Sequence, residues 1–308
     1  MIAMNNVTPR FETNDIVGVN PVLAMPFTQN GDVDYESFDR LVEHLIQTGC
    51  HGMTLFGIAS EFYKLTFPEK EELAHRFLKN TEHSNVYRCL SVTDHATEVA
   101  VQTAQHYQSL GADVLMLLPP YFLNPQTWQI EEHIEAVLSS VSIPVLIQYA
   151  PTETGVPIPP DKMAAWGKKY PNAMFKVECN PPVEYGQTLL SMLPDATLLN
   201  GYAGLYMLDM MSIGGKGVMP GSSFTEVYVD IYNLWQNGQH QAAKDKHQQL
   251  LTFIEVWMSN CEYLIDIEKK ILAKRSVIQS DYCRKPGYPT TEKDNQQIEE
   301  FFQLFGLG

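Results

Sequence analysis

Eight short apolar segments alternate with segments of helical periodicity between about residue 17 and residue 236. The segments lack the polar alternation of half-exposed strands, which is typical of parallel strands covered on both faces. The predicted strands are Asn20–Met25, Gly52–Phe56, Val86–Ser91, Asp113–Leu117, Pro144–Gln148, Ala173–Val177, Ala196–Asn200 and Lys216–Met219. Eight strand–helix units in about 220 residues predict a closed (β/α)₈ barrel, the α/β fold known as a TIM barrel.

The remaining segments carry helical signals. Tyr35–Gln47 places its apolar residues on one stripe, and Thr97–Ser109 repeats this pattern less regularly. After Phe224 the pattern is helical only, with predicted helices at Glu226–Gln236, Gln241–Met258, Tyr263–Lys274 and Glu292–Leu304. We therefore predict a barrel over residues 1–236 that carries the active site, and a C-terminal helical domain over residues 237–308.

Charge and composition argue against several classes of protein. The formal net charge of −15 disfavours nucleic acid or an anionic membrane as a partner, because both attract basic surfaces. The five cysteines form no C-x-x-C pair and the N-terminus lacks a signal-peptide pattern, so we expect a cytoplasmic protein. The nine histidines form no zinc-binding pattern, so no metal is expected. No apolar run reaches the roughly 18–20 residues that span a membrane.

Lys176 lies inside the predicted strand Ala173–Val177, whereas nearly all other lysines lie in stretches predicted as helix surface or loop. Burial of an ammonium group costs several kcal/mol unless the group is paired or loses its proton. A neutral amine in a pocket is a nucleophile that forms a Schiff base with a carbonyl carbon. Lys176 is therefore the first candidate for a catalytic residue.

Other candidate residues follow the predicted strands. In (β/α)₈ barrels the active site is built at the carboxyl ends of the strands. These ends carry Gly57–Glu61, Pro119–Phe122, Tyr149–Gly155, Lys176–Glu178, Asn200–Tyr202 and Met219–Ser223. Tyrosines, carboxylates and Lys176 are thus expected at one rim of the barrel.

Several separated motifs resemble those of one family. They are Ala24-Met25-Pro26-Phe27, the loop Gly57–Glu61, Gly111-Ala112-Asp113 followed by Pro120-Tyr121, Tyr149…Pro151…Gly155, the strand ending in Lys176, and Gly214-Gly215-Lys216-Gly217-Val218. In this order they resemble the dihydrodipicolinate synthase / N-acetylneuraminate lyase family of Schiff-base lyases. The resemblance runs from about Val17 to the C-terminal helices.

The resemblance implies roles for individual residues. It makes Lys176 the imine-forming lysine and Tyr149 a phenol that relays protons near it. It makes the loop containing Ala59, Ser60 and Glu61 a source of backbone N–H donors for the carboxylate of a small 2-oxo acid substrate. It also implies an enzyme without a cofactor that assembles as a homo-oligomer, either a dimer or a tetramer.

Departures from the family pattern narrow the activity. In the resemblance, dihydrodipicolinate synthases have two threonines in the loop where this chain has Ala59 and Ser60. They have a second tyrosine where Phe122 follows Tyr121, and an arginine where this chain has Glu153. A carboxylate at Glu153 would repel a dicarboxylate product, so dihydrodipicolinate synthesis is disfavoured.

Ser60-Glu61 and Lys176-Val177-Glu178 resemble the branch of 2-keto-3-deoxy sugar-acid dehydratases, especially those acting on 2-keto-3-deoxy-arabonate-like acids. Residues two apart on a strand share a face, so the carboxylate of Glu178 is predicted beside Lys176, where it could remove the C3 proton. The predicted catalytic residues are Lys176, Tyr149 and Glu178, and the predicted substrate-binding residues are Ala59, Ser60, Glu61, Tyr121, Glu153, Gly201 and Met219.

Three alternatives remain open. A pyruvate-releasing aldolase of the same family, acting on 2-keto-3-deoxy-gluconate or N-acetylneuraminate, is favoured by the retention of Tyr149. Lys176 could instead be a structural lysine paired with Glu178, and the chain an inactive homologue that binds a keto acid. For Tyr121, a role at a subunit contact competes with a role in the active site.

Overall fold

The computed structural model describes residues 9–307, in which eight strands form one sheet. The strands are β1 (Gly18–Val19), β2 (Gly52–Leu55), β3 (Tyr87–Val92), β4 (Val114–Leu117), β5 (Val145–Tyr149), β6 (Ala173–Val177), β7 (Leu198–Asn200) and β8 (Gly217–Val218). Neighbouring strands follow the order β1-β8-β7-β6-β5-β4-β3-β2. The predicted TIM barrel is confirmed.

Helices follow the strands, and the six helices predicted from the sequence begin and end within two residues of the predicted positions. They are α1 (Tyr35–Gln47), α2 (Phe67–Asn80), α3 (Thr97–Leu110), α4 (Thr127–Ser140), α5 (Pro151–Thr154), α6 (Pro160–Lys169), α7 (Val183–Met192), α8 (Met207–Ser212), α9 (Thr225–Gln236), α10 (His240–Trp257), α11 (Cys261–Lys274) and α12 (Glu292–Phe305). Among the described residues, no helix is long and apolar enough to cross a membrane.

The first strand differs from the prediction of Asn20–Met25, because β1 ends at Val19. Pro21 has no N–H group to donate to a neighbouring strand, which interrupts the ladder. Beyond it, Val22 forms only isolated bridges, to Thr54 and Gly221.

The chain divides into two compact units. Of the described residues, the first unit contains 9–17, Tyr87–Gly201 and Asp209–Val218, and the second contains Gly18–Val86, Tyr202–Leu208 and 219–307. The predicted helical domain over residues 237–308 stays a prediction.

Within the first unit, the parallel pairing of β5 and β6 fixes which side chains share a face. Gln148 lies opposite Lys176, and Tyr149 lies opposite Val177. Because successive side chains of a strand point to opposite faces, Gln148 and Lys176 lie on one face and Tyr149 and Val177 on the other.

Within the second unit, α11 buries nine of its fourteen residues. One of them is Glu268, whose Oε2 accepts hydrogen bonds from the backbone N–H groups of Ser222 at 2.9 Å and Ser223 at 3.3 Å. A Cβ atom on Gly221 would lie 1.7 Å from Glu268 Oε1, so the loop approaches the carboxyl group this closely only because residue 221 is glycine.

We expect the stability of the protein to fall between pH 5 and pH 7 through Glu268. Burial raises the pKa of this carboxyl group from 4.5 to about 7, against the opposing effect of the Ser222 and Ser223 N–H groups. Between these values the folded state holds a proton that the unfolded state has released. The stabilisation is therefore complete below about pH 4.5 and is lost as the pH rises towards 7, by about 1.4 kcal/mol per pH unit.

The Glu268→Gln variant should lack this pH dependence, since an amide oxygen still accepts both N–H bonds and does not titrate. Urea unfolding of wild type and variant at pH 5, 6, 7 and 8 measures the difference. We expect the two free energies of unfolding to diverge by about 2–3 kcal/mol over this range. Parallel curves would contradict the assignment.

Candidate active site

Lys176 and Glu178 form a buried ion pair at the carboxyl end of β6. Lys176 Nζ lies 2.9 Å from Glu178 Oε1, and the two residues are 4% and 9% exposed. The cost of burying Lys176 can be relieved by an ion pair or by loss of a proton. The structure shows the ion pair with Glu178, which the alternative of a structural lysine also predicts. An ion pair at hydrogen-bond distance also places a proton acceptor next to the amine.

Gln148 holds the other oxygen of the same carboxylate. Its Nε2 donates a hydrogen bond of 2.5 Å to Glu178 Oε2. Gln148 lies opposite Lys176 in the β5–β6 register, so three neighbouring side chains meet on one face. Sequence reasoning missed Gln148 because an uncharged amide in a predicted strand carries no signal of its own. Its position opposite Lys176 follows only from the register of β5 with β6.

Gly201, predicted to bind substrate, lies against Glu178. A Cβ atom on Gly201 would lie 2.0 Å from Glu178 Oε1. Contacts this short do not occur, so glycine leaves the space that the carboxylate occupies. The structure therefore places Gly201 as a residue that accommodates Glu178.

Tyr149 is the last residue of β5. Because β5 continues through Tyr149, this side chain lies on the opposite face from Lys176. Its ring stacks on Tyr185 of α7, with ring centroids 4.6 Å apart, and burial raises the pKa of its phenol. The family resemblance implied a phenol that relays protons near Lys176, whereas the register places Gln148 on the face of Lys176. A catalytic role for Tyr149 stays a prediction.

Glu153 lies on α5, the single helical turn that follows β5. Its Oε2 is buried and has no hydrogen-bond partner. Burial and then the charge of Glu178 raise the pKa of Glu153 to about 7, while the Lys176 ammonium lowers it. Glu153 is therefore a carboxyl group that interacts with the Lys176–Glu178 pair and retains its proton in weakly acidic solution.

Tyr121 follows β4 and is half-buried. Its ring meets the ring of His95 edge-on, with centroids 4.7 Å apart, and the next residue, Phe122, is exposed. These contacts leave the predicted roles of Tyr121, in the site or at a subunit contact, as predictions.

The other predicted substrate-binding residues belong to the second unit. Ala59 and Ser60 lie in the 3₁₀ turn Ile58–Ser60, and Met219 follows β8. Ser60 is buried and its Oγ has no hydrogen-bond partner. Substrate binding by these three residues stays a prediction.

Glu61 has a left-handed backbone conformation with φ of 50° and a fully buried side chain. Its Oε2 lies 3.0 Å from Lys64 Nζ, and its Oε1 pairs with Lys269 Nζ of α11. Its carboxylate is therefore engaged by two lysines. Substrate binding by Glu61 stays a prediction.

No group of three or more His, Cys, Asp or Glu side chains within residues 9–307 is arranged to hold a metal ion. The Lys176 amine, the Glu178 carboxyl group and the Gln148 amide meet at the end of β6.

Several known proteins are similar to this chain along most of its length. Residues 15–304 match the profile of the dihydrodipicolinate synthetase family. A 4-hydroxy-tetrahydrodipicolinate synthase of Hydrogenobaculum sp. is 27% identical over 294 residues, which cover 95% of this chain and 99% of that protein. The L-2-keto-3-deoxyarabonate dehydratase of Azospirillum brasilense is 26% identical over 276 residues, 87% of this chain and 88% of that protein. The probable 2-dehydro-3-deoxy-D-pentonate aldolase of Escherichia coli is 22% identical over 296 residues, 94% of this chain and 97% of that protein.

Among solved structures, the dihydrodipicolinate synthase of Rhodopseudomonas palustris superimposes with a TM-score of 0.87. It is 26% identical, and the match covers 94% of this chain and 98% of that one. The relatives thus share one fold and differ in their reactions.

Proposed function

Because the chain belongs to the dihydrodipicolinate synthetase family, a family of lyases, we propose that it forms an imine between Lys176 and a 2-oxo acid. The preferred reaction is dehydration of a 2-keto-3-deoxy sugar acid. The observation that carries the proposal is the buried contact of 2.9 Å between Lys176 Nζ and Glu178 Oε1.

Imine formation needs a neutral amine. Transfer of one proton from the Lys176 ammonium to Glu178 supplies it without creating net charge in a buried place. The amine then attacks C2 and a C–N bond forms. Glu178 returns its proton to the former carbonyl oxygen, and the attacking nitrogen gives up a second one. The oxygen then leaves as water, and the protonated imine remains.

Dehydration follows from the same pair. The protonated imine withdraws electrons and acidifies the C3–H bond, and the Glu178 carboxylate removes that proton to give an enamine. The enamine electrons form the C3=C4 double bond and expel the C4 hydroxyl group, which takes up a proton and leaves as water. Attack of water at C2 then releases the unsaturated 2-oxo acid and regenerates the amine, with no oxidant or reductant required.

Three observations support dehydration over the alternatives. Glu178 lies on the face of Lys176, within reach of a substrate attached there. Tyr149, whose retention favoured aldol cleavage, faces away from Lys176. Glu153 occupies the place where the family resemblance puts an arginine in synthases. The aldolase reaction remains a second candidate, supported by the relative from Escherichia coli.

We expect borohydride reduction in the presence of pyruvate or 2-keto-3-deoxy-arabonate to add the substrate mass to Lys176. Peptide mass spectrometry measures the adduct, and unmodified surface lysines serve as the internal control. Absence of any adduct would refute the imine and favour a keto-acid-binding homologue without activity. With an adduct present, free pyruvate in the product mixture would identify an aldolase, and a dehydrated acid a dehydratase.

A further inference from the structure

The carboxyl group of Glu153 is incompletely satisfied. Its Oε2 is buried without a hydrogen-bond partner, although leaving a buried polar atom unpaired destabilises the folded state. Such groups are rare in folded proteins and call for an explanation. One explanation is a ligand that forms the missing hydrogen bond. Glu153 lies on the short helix directly after β5, at the end of the strand where barrel enzymes bind substrate.

The charged groups that act on Glu153 are those of the proposed reaction. Glu178 disfavours ionisation of Glu153, and Lys176 favours it less strongly. Two neighbouring carboxyl groups near one ammonium share protons unequally. Glu178 is the member whose two oxygens contact Lys176 and Gln148. Glu153 has the unpartnered oxygen and a pKa raised to about 7, so it is the member that carries a proton. Unequal carboxyl groups of this kind divide the roles of base and acid.

We propose that Glu153 is the general acid that protonates the C4 hydroxyl group of the bound substrate as the C4–O bond breaks. This inference rests on the proposed dehydration. Glu178 takes the proton from C3, the electron pair moves into the C3=C4 bond, and Glu153 supplies the proton with which the hydroxyl leaves as water. Afterwards Glu178 is protonated and Glu153 ionised, and transfer of that proton to Glu153 restores the starting state.

The inference also restricts the substrate. A protonated carboxyl group at Glu153 donates to a hydroxyl group, whereas an arginine in its place would hold a second carboxylate. We therefore expect a substrate that carries one carboxylate, at C1, and a hydroxyl group at C4.

The test compares Glu153→Gln with Glu178→Gln in three measurements. These are borohydride trapping at Lys176, exchange of C3 protons for deuterium followed by NMR, and the rate of dehydration. We expect Glu153→Gln to trap imine and exchange C3 protons within about threefold of wild type, and to dehydrate about 10²–10³-fold more slowly. Glu178→Gln should lose exchange and dehydration together. Glu132→Gln, an exposed replacement of the same type on α4, should match wild type throughout.

Two further readouts separate a general acid from a merely structural residue. Since the acid must be protonated, the wild-type kcat for dehydration should fall as the pH rises through about 7, and Glu153→Gln should lack that limb. A 4-chloro substrate analogue, whose leaving group needs no proton, should react at similar rates with wild type and Glu153→Gln.

The outcomes are distinguishable. Wild-type dehydration by Glu153→Gln, or loss of trapping in that variant, would overturn the role of Glu153 while leaving the imine mechanism intact. Failure of the wild-type protein to trap any 2-oxo acid would instead overturn the proposed function.

Discussion

Replacement of Lys176 by arginine should abolish imine trapping and reduce turnover by about 10⁴-fold or more. Arginine keeps the positive charge that pairs with Glu178, but a guanidinium group stays protonated and cannot attack a carbonyl carbon. The substitution therefore removes the nucleophile while retaining the ion pair. The measurements are kcat/KM for the 2-keto-3-deoxy acid and mass spectrometry after borohydride reduction.

Two control variants accompany Lys176→Arg. Lys168→Arg, at an exposed position of α6, should retain full trapping and turnover. Lys176→Met combined with Glu178→Gln removes both charges together, so no unpaired charge stays buried, and it should fold and remain inactive. An imine adduct in Lys176→Arg, at any position, would show that another lysine is the nucleophile.

The barrel could be predicted from the sequence because the alternation of an apolar strand with a helical segment occurs eight times. An error at one strand, such as the interruption of β1 by Pro21, leaves the alternation intact. The limits of β6 were predicted without error, and Lys176 was recognised because a lysine within an apolar strand is exceptional. Glu178 followed from the alternation of side chains along that strand.

The face of β5 could not be predicted because it depends on a single residue. A shift of one position exchanges the two faces of a strand, and sequence patterns place strand ends less accurately than that. The resemblance implied Tyr149 near Lys176, whereas Gln148 lies on the face of Lys176 in the structure. The pKa of Glu153 also depends on its burial and on the charge of Glu178. Both follow from the packed structure and are not visible in the sequence.

Lys269 shows a similar limit in the second unit. The sequence placed it in a stretch predicted as helix surface, yet it is fully buried on α11. This helix buries residues on most of its sides, so helical periodicity does not identify an exposed face. Lys269 Nζ pairs with Glu61, donates to the carbonyl oxygen of Tyr282 at 3.2 Å and lies 4.4 Å from the ring centre of Phe27.

Replacement of Lys269 by methionine should lower the free energy of unfolding by about 3–5 kcal/mol, since removing one member of a buried ion pair leaves the other charge poorly compensated. Methionine fills nearly the same volume, so the loss reports on Glu61, which keeps only Lys64 as a partner. Urea unfolding measures the change, and Lys269→Met with Glu61→Gln should recover much of it.

The matched control is Lys274→Met on the same helix, where the pair with Glu299 is largely exposed and a loss below about 1 kcal/mol is expected. A cost for Lys269→Met no larger than this, or no recovery in the double variant, would mean that the Glu61–Lys269 pair does not hold the loop after β2 against α11. Recovery would instead show that the cost of Lys269→Met arises from the charge left on Glu61.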